Sequence, residues 1–168
     1  MAGLRKGVCY RNIVRAYTRR SKYKAKGYIK AIPPLKIVKF DQGNLQKKFD
    51  AQVSLYTRQD IQLRHNALES ARQVIHKHLA DTLGNNYHLK VRVYPHHVLR
   101  EHKMLTGAGA DRMSPGMSQA FGKAVGTAAQ VKKDQPIISV GIDKKDIESA
   151  KSALSYAIAR LPGKYYVE

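Results

Sequence analysis

The chain has 168 residues, 43% of them hydrophobic, which suits one domain with a real core and excludes wholesale disorder. Thirty-one Lys and Arg against 12 Asp and Glu leave a net charge of +19, a surplus that calls for a polyanion such as nucleic acid, where each neutralised phosphate releases a counterion. No stretch approaches the roughly 18–20 apolar residues of a membrane span, no apolar signal core follows the N-terminus, and the lone Cys9 excludes an internal disulfide framework, so the sequence predicts a cytoplasmic protein with no membrane partner.

The charge is graded along the chain. Residues 1–40 hold twelve basic side chains and no acid, whereas residues 134–168 hold five of each sign. The first third is therefore the part expected to face the polyanion. A basic arm at 1–35 interleaves cations with tyrosines: Arg5, Lys6, Tyr10, Arg11, Arg15, Tyr17, Arg19, Arg20, Lys22, Tyr23, Lys24, Lys26 and Lys30. Tyr rings stack on unpaired bases and the cations contact phosphates, a combination that suits structured RNA.

After Pro33-Pro34, residues 36–40 alternate as a short strand, and Gly43-Asn44 marks a turn. Residues 51–56 predict a strand with Val53 and Leu55 on one face, and 61–65 predict another. Asn66 and Glu69 have the spacing of a capping box. Leu68, Ala71, Ile75 and Leu79 then repeat at helical spacing until Gly84. Residues 89–94 alternate, with Leu89, Val91 and Val93 inward and Lys90 and Arg92 outward. Further strands are predicted at 127–131 and 137–142. Asp143 is placed to cap a second helix, which carries Ile147, Ala150, Leu154, Ile158 and Leu161 on one face. Pro162-Gly163 ends it, and 165–167 predicts a last strand. The sum is a single α+β domain over 1–168, a two-layer sandwich of two main helices on a mostly antiparallel sheet of five to seven strands.

Between about 100 and 123 the periodicity disappears. This span holds four glycines and Pro115, with Arg100, Lys103, Arg112 and Lys123. Loops of that length inside a domain are usually either functional or disordered, and here the glycines and cations point to a phosphate-rich ligand. No enzyme motif survives inspection. Gly116 and Gly122-Lys123 are spaced by five residues instead of the four of a phosphate-binding P-loop, and Ala124 replaces the magnesium-binding Ser or Thr. His96, His97, Glu101 and His102 lack a recognised metal-ligand spacing, and Cys9 has no base placed beside it. The sequence thus predicts no catalytic residues, no metal and no cofactor.

Several stretches together resemble one family: Cys9-Tyr10-Arg11, KIVKFDQGN at 36–44, RHNALESA at 64–71, KMLTGAGADR at 103–112, Ala120-Phe121-Gly122-Lys123 and Gly126-Thr127. They resemble the archaeal and eukaryotic large-subunit ribosomal protein ten, the counterpart of bacterial large-subunit protein sixteen. The archaeal branch fits best, because the longer eukaryotic tail is missing after Glu168. The resemblance implies an α/β hammerhead-like fold on large-subunit rRNA below the central protuberance. It implies neighbouring large-subunit proteins and assembly factors as partners, and a structural role in translation and late subunit assembly. It also implies a loop directed toward the peptidyl-transferase centre and the acceptor end of the P-site tRNA. On that likeness Arg100 lies at the loop's base and Gly107, Gly109, Asp111 and Arg112 at its tip, with Lys103 and Lys123 alongside. Arg64, His65, Lys90 and Arg92 join the arm as expected rRNA contacts. Family members usually carry Arg, Pro and Arg where this chain has Ser118, Ala124 and Gln130.

Overall fold

The computed structural model describes residues 4–15, 18–19, 21–105, 107–113, 116–117 and 121–168. Tyr17, Arg20 and Ser118, named above, lie outside these residues. Every strand pairing among them is antiparallel. One sheet has five strands in the order β1-β4-β7-β2-β8: β1 Asp41–Gly43, β4 His88–Val91, β7 Pro136–Ile142, β2 Ala51–Thr57 and β8 Tyr165–Val167. The second has three in the order β3-β6-β5: β3 Ile61–Arg64, β6 Lys123–Val131 and β5 His97–Glu101.

The helices follow from their apolar stripes. α1, His65–Leu83, buries Leu68, Ala71, Ile75 and Leu79 on one side. Gly84 stops it in a positive-φ conformation, its N–H bonded to Ala80 O at 3.1 Å. The third helical element, α3, Ile147–Ile158, buries Ala150, Ala153, Leu154 and Ala157. It lies on β2, β7 and β8, while α1 packs beside it and reaches β3 and β6. Leu55, Ile138, Val140, Leu89, Leu63 and Val131 complete the shared core. The predicted α+β sandwich is the observed one, with its strands divided between two sheets.

The differences have local causes. Residues 36–40 form no strand; the β1–β4 ladder starts at Asp41, and Phe40 contributes only its carbonyl, which accepts from Val91 N–H at 2.8 Å. The 36–40 segment is held by a carboxylate, with Val38 N–H donating to Glu69 Oε2 at 3.4 Å. Glu69 therefore does not close a capping box. Its two oxygens also accept from Arg72 at 2.9 and 2.7 Å, and Arg72 donates in turn to Gln42. The N-cap of α1 is Arg64, and among the described residues buried Asn66 Oδ1 has no hydrogen-bond partner. Asp143 precedes a 3-10 turn at Lys144–Asp146 and accepts an ion pair from Lys47 at 2.6 Å, so it does not cap α3. β5 was not predicted at all, and β6 begins four residues earlier than expected. These two strands take both ends of the predicted loop, and a one-turn helix, α2, Ala110–Met113, sits within the remainder.

Candidate nucleic-acid interface

The second sheet turns one face to the core through Ile61, Leu63, Ala129 and Val131. Its other side is covered by the basic arm, which is held by its main chain. Gln62 donates twice, from Nε2 to Tyr10 O at 2.9 Å and from its backbone N–H to Arg11 O at 2.9 Å. Gln130, opposite Gln62 in register, donates to Val14 O at 3.2 Å and to Gln62 Oε1 at 3.1 Å. Arg64 Nη1 donates to Arg5 O at 3.0 Å, and its guanidinium lies 5.8 Å from the centre of the Tyr10 ring. Thr18 Oγ1 meets His97 Nδ1 at 3.1 Å, and Arg100 Nη2 reaches Tyr28 O at 2.7 Å.

The sheet grips carbonyl oxygens, and the arm's cations stay accessible: Lys6, Arg11, Arg15, Arg19, Lys22, Lys24, Lys26 and Lys30 are all exposed. Arg5 is exposed as well and ion-pairs with Glu101 at 2.7 Å, a hydrogen bond that raises the already high guanidinium pKa. Tyr23 is exposed between Lys22 and Lys26, whose ammonium groups lie 5.2 and 5.5 Å from its ring centre.

Not every predicted contact residue joins this surface. His65 is buried, its Nδ1 at 3.0 Å from Thr127 Oγ1. Burial, then Lys36 and Arg64, hold its pKa below the ordinary 6.5. Buried and engaged by Thr127, this ring does not join the exposed cations of the arm. Lys90 lies on β4 of the other sheet, and Arg92 directly follows that strand. Lys90 Nζ sits 3.6 Å from Asp41, while Arg92 donates to Ser139 Oγ at 3.0 Å and Gln52 Oε1 at 3.1 Å. In the loop, Lys103, Gly107, Gly109 and Arg112 are exposed, Asp111 lies within α2, and Lys123 opens β6 opposite Glu101.

The histidine–glutamate cluster disperses to separate partners. His96 packs on Tyr94 at 4.5 Å, His97 meets Thr18, His102 packs on Phe121 at 5.0 Å and Glu101 pairs with Arg5. Among the described residues no group of three or more His, Cys, Asp or Glu is placed to hold a metal ion, and no helix is long and apolar enough to cross a membrane.

Sequence reasoning missed Gln62 and marked Gln130 only as a departure from the family pattern, not as a residue that holds the arm. The available signal was a glutamine alternating with apolar residues in each strand, Gln62 between Ile61 and Leu63 and Gln130 between Ala129 and Val131, on the face turned away from the core. It also missed Phe121, an aromatic side chain 64% exposed beside the base of the loop.

The sequence profile of the family "Ribosomal protein L16p/L10e" matches residues 15–168. A protein of Methanosphaerula palustris named large ribosomal subunit protein uL16 is 48% identical over 158 residues, covering 93% of this chain and 88% of its own length. Proteins of the same name from Hyperthermus butylicus and Methanospirillum hungatei are each 50% identical, covering 88% and 91% of this chain and 87% and 88% of their own lengths. These are structural ribosomal components and not enzymes. A match over nearly the whole chain, on a fold whose arm carries ten Lys and Arg and no acid in residues 1–35, shows that the chain belongs to the ribosomal protein L16p/L10e family.

Proposed function

We propose that this chain is a structural constituent of the large ribosomal subunit, in the cytoplasm, and that it binds large-subunit rRNA chiefly through residues 1–35. The observation that carries the reading is the polarity of the docked arm: its carbonyls turn to the sheet while all nine cations among its described residues are exposed. Held this way, the arm loses less conformational entropy on binding than a free tail would, so more of each phosphate contact survives as affinity. Residues 100–123 form a second element that extends toward the peptidyl-transferase centre and the acceptor end of P-site tRNA. Its exposed Lys103 and Arg112 suit that polyanion. Neighbouring large-subunit proteins and assembly factors complete the partners, and residues 1–168 act as one ribosomal-protein domain.

The test is incorporation. The wild-type chain should stay with large subunits through a high-salt wash. The double reversal Arg15→Glu/Arg19→Glu should fail to enter the subunit while its circular dichroism and melting remain those of the wild type. A chain that washes off intact subunits would instead be a transient RNA-binding factor.

A further inference from the structure

Resting on that RNA-binding reading, we propose that the groove between the arm and the base of the long loop receives a single unpaired nucleotide of an RNA chain. Its base would lie against Phe121 and its phosphates against Lys123 and Lys30. The groove encloses about 800 Å³ and is walled by Tyr28, Ile32, Pro33, Arg100, Phe121 and Lys123. That volume lies within the roughly 300–1,000 Å³ usual for sites that enclose a small ligand.

Three observations select the occupant. First, large apolar groups are exposed together here: Phe121 is 64%, Ile32 57% and Tyr28 50% accessible. Apolar surface gathered in a concavity on a strongly charged chain marks a binding site. Second, the lining carries Lys30, Arg100 and Lys123 and no acid. The neighbouring acid on β5, Glu101, is engaged by Arg5. Aromatic surface flanked by cations and free of carboxylates is the arrangement that recognises an unstacked base with its phosphates. A regular duplex keeps its base faces stacked inside the helix, where such a groove cannot reach them.

Third, the walls are fixed in place. Arg100 Nη2 ties the arm wall to β5 through Tyr28 O at 2.7 Å. Gly122, at φ 141°, brings the loop's return so close that an added Cβ would stand 2.8 Å from Met117 Sδ and 3.0 Å from Glu101 C. A side chain there would be crowded by Glu101 and strained at that φ, so glycine is what allows the loop to pass this close to β5. His102 braces Phe121 at 5.0 Å with a 55° tilt and still leaves most of that ring accessible. The groove is thus preformed, and binding need not order it first.

The full-length chain should be titrated with an RNA hairpin carrying one bulged 2-aminopurine, and with the same hairpin fully paired. Wild type should bind the bulged form about tenfold more tightly, with a change in 2-aminopurine emission as the base leaves water. Phe121→Ala should lose that preference while keeping its affinity for the paired hairpin, and Phe121→Tyr should retain the preference. Phe121 is exposed, so the fold should not depend on it. Binding of both hairpins with equal affinity by wild type, or an unchanged preference in Phe121→Ala, overturns the groove assignment and leaves the arm's role standing. Binding of neither hairpin overturns both. Protection of Phe121 by an acidic peptide but not by the bulged hairpin would give the groove to a protein partner and overturn the nucleotide.

Discussion

Gln62 and Gln130 face each other across β3 and β6, and between them they hold Tyr10, Arg11 and Val14 by the backbone. Gln62 is 3% exposed, so Gln62→Leu would keep the burial but remove one donor from Tyr10 O and one acceptor from Gln130. The expected cost is about 1–2 kcal/mol. Amides of residues 5–15 should then exchange faster while those of α1 and α3 keep their protection. Titration acts at the same scale. His65 and His97 are both held below 6.5, first by burial and then by nearby cations: Lys36 and Arg64 for His65, Arg100 for His97. The unfolded chain therefore takes up protons near pH 6.5 that the folded chain refuses until lower pH. Stability is full above about 6.5 and falls as pH drops below it. Melting temperatures between pH 7.5 and 5 should show this decline, and His97→Gln should flatten part of it. Glu69 works lower on the scale. Its hydrogen bond from Arg72 holds its pKa below the ordinary 4.5, so its contribution is lost only in more acid solution.

At the level of elements, the helices were legible because each buries one stripe. Leu68, Ala71, Ile75 and Leu79 leave a 3.6-residue period, as do Ala150 and Leu154. β5 left no period. Val98 and Leu99 are adjacent, point to opposite faces and are both buried, and the register slips between Leu99 and Arg100. The docking of the arm was equally silent, since it depends on its carbonyls, which every sequence has, and on two glutamines more than 30 residues away. The cations of the interface could be read one by one. The groove beside Phe121 could not, because it is assembled from 28–33, 100–102 and 121–124. The same separation says what the loop can lose. Among its described residues between β5 and β6, none is fully buried, and Leu105 and Met113 are 57% and 75% exposed. Deleting 103–117 should shift stability by less than about 1 kcal/mol and leave rRNA docking intact, yet lower translation by subunits that carry it. Arg112→Lys should be milder than Arg112→Ala and still measurable, because only a guanidinium forms paired hydrogen bonds with a phosphate.

Over the whole molecule, charge and fold divide the chain between two tasks: the first 40 residues carry +12 and the last 35 balance to zero. Binding to an rRNA fragment at several salt concentrations should register that division. Lys24→Ala and Lys26→Ala should each reduce the slope of log affinity against log salt by about one, whereas Lys144→Ala and Lys151→Ala should leave it unchanged. All four side chains are exposed, so the contrast tests position along the chain rather than accessibility. The order of strands in the larger sheet carries a further consequence, one of timing. β2 lies between β7 and β8, and both partners are made long after it. At about 5–20 residues per second, the roughly 80 residues from β2 to β7 take on the order of 4–16 s to synthesise. Through that interval the nascent chain displays Ala51–Thr57 with neither edge paired, a segment open to adhesion with other unfinished chains. The arm's seat on β3, β5 and β6 is equally unfinished until β6 emerges, so the most cationic part of the molecule is made first and anchored late.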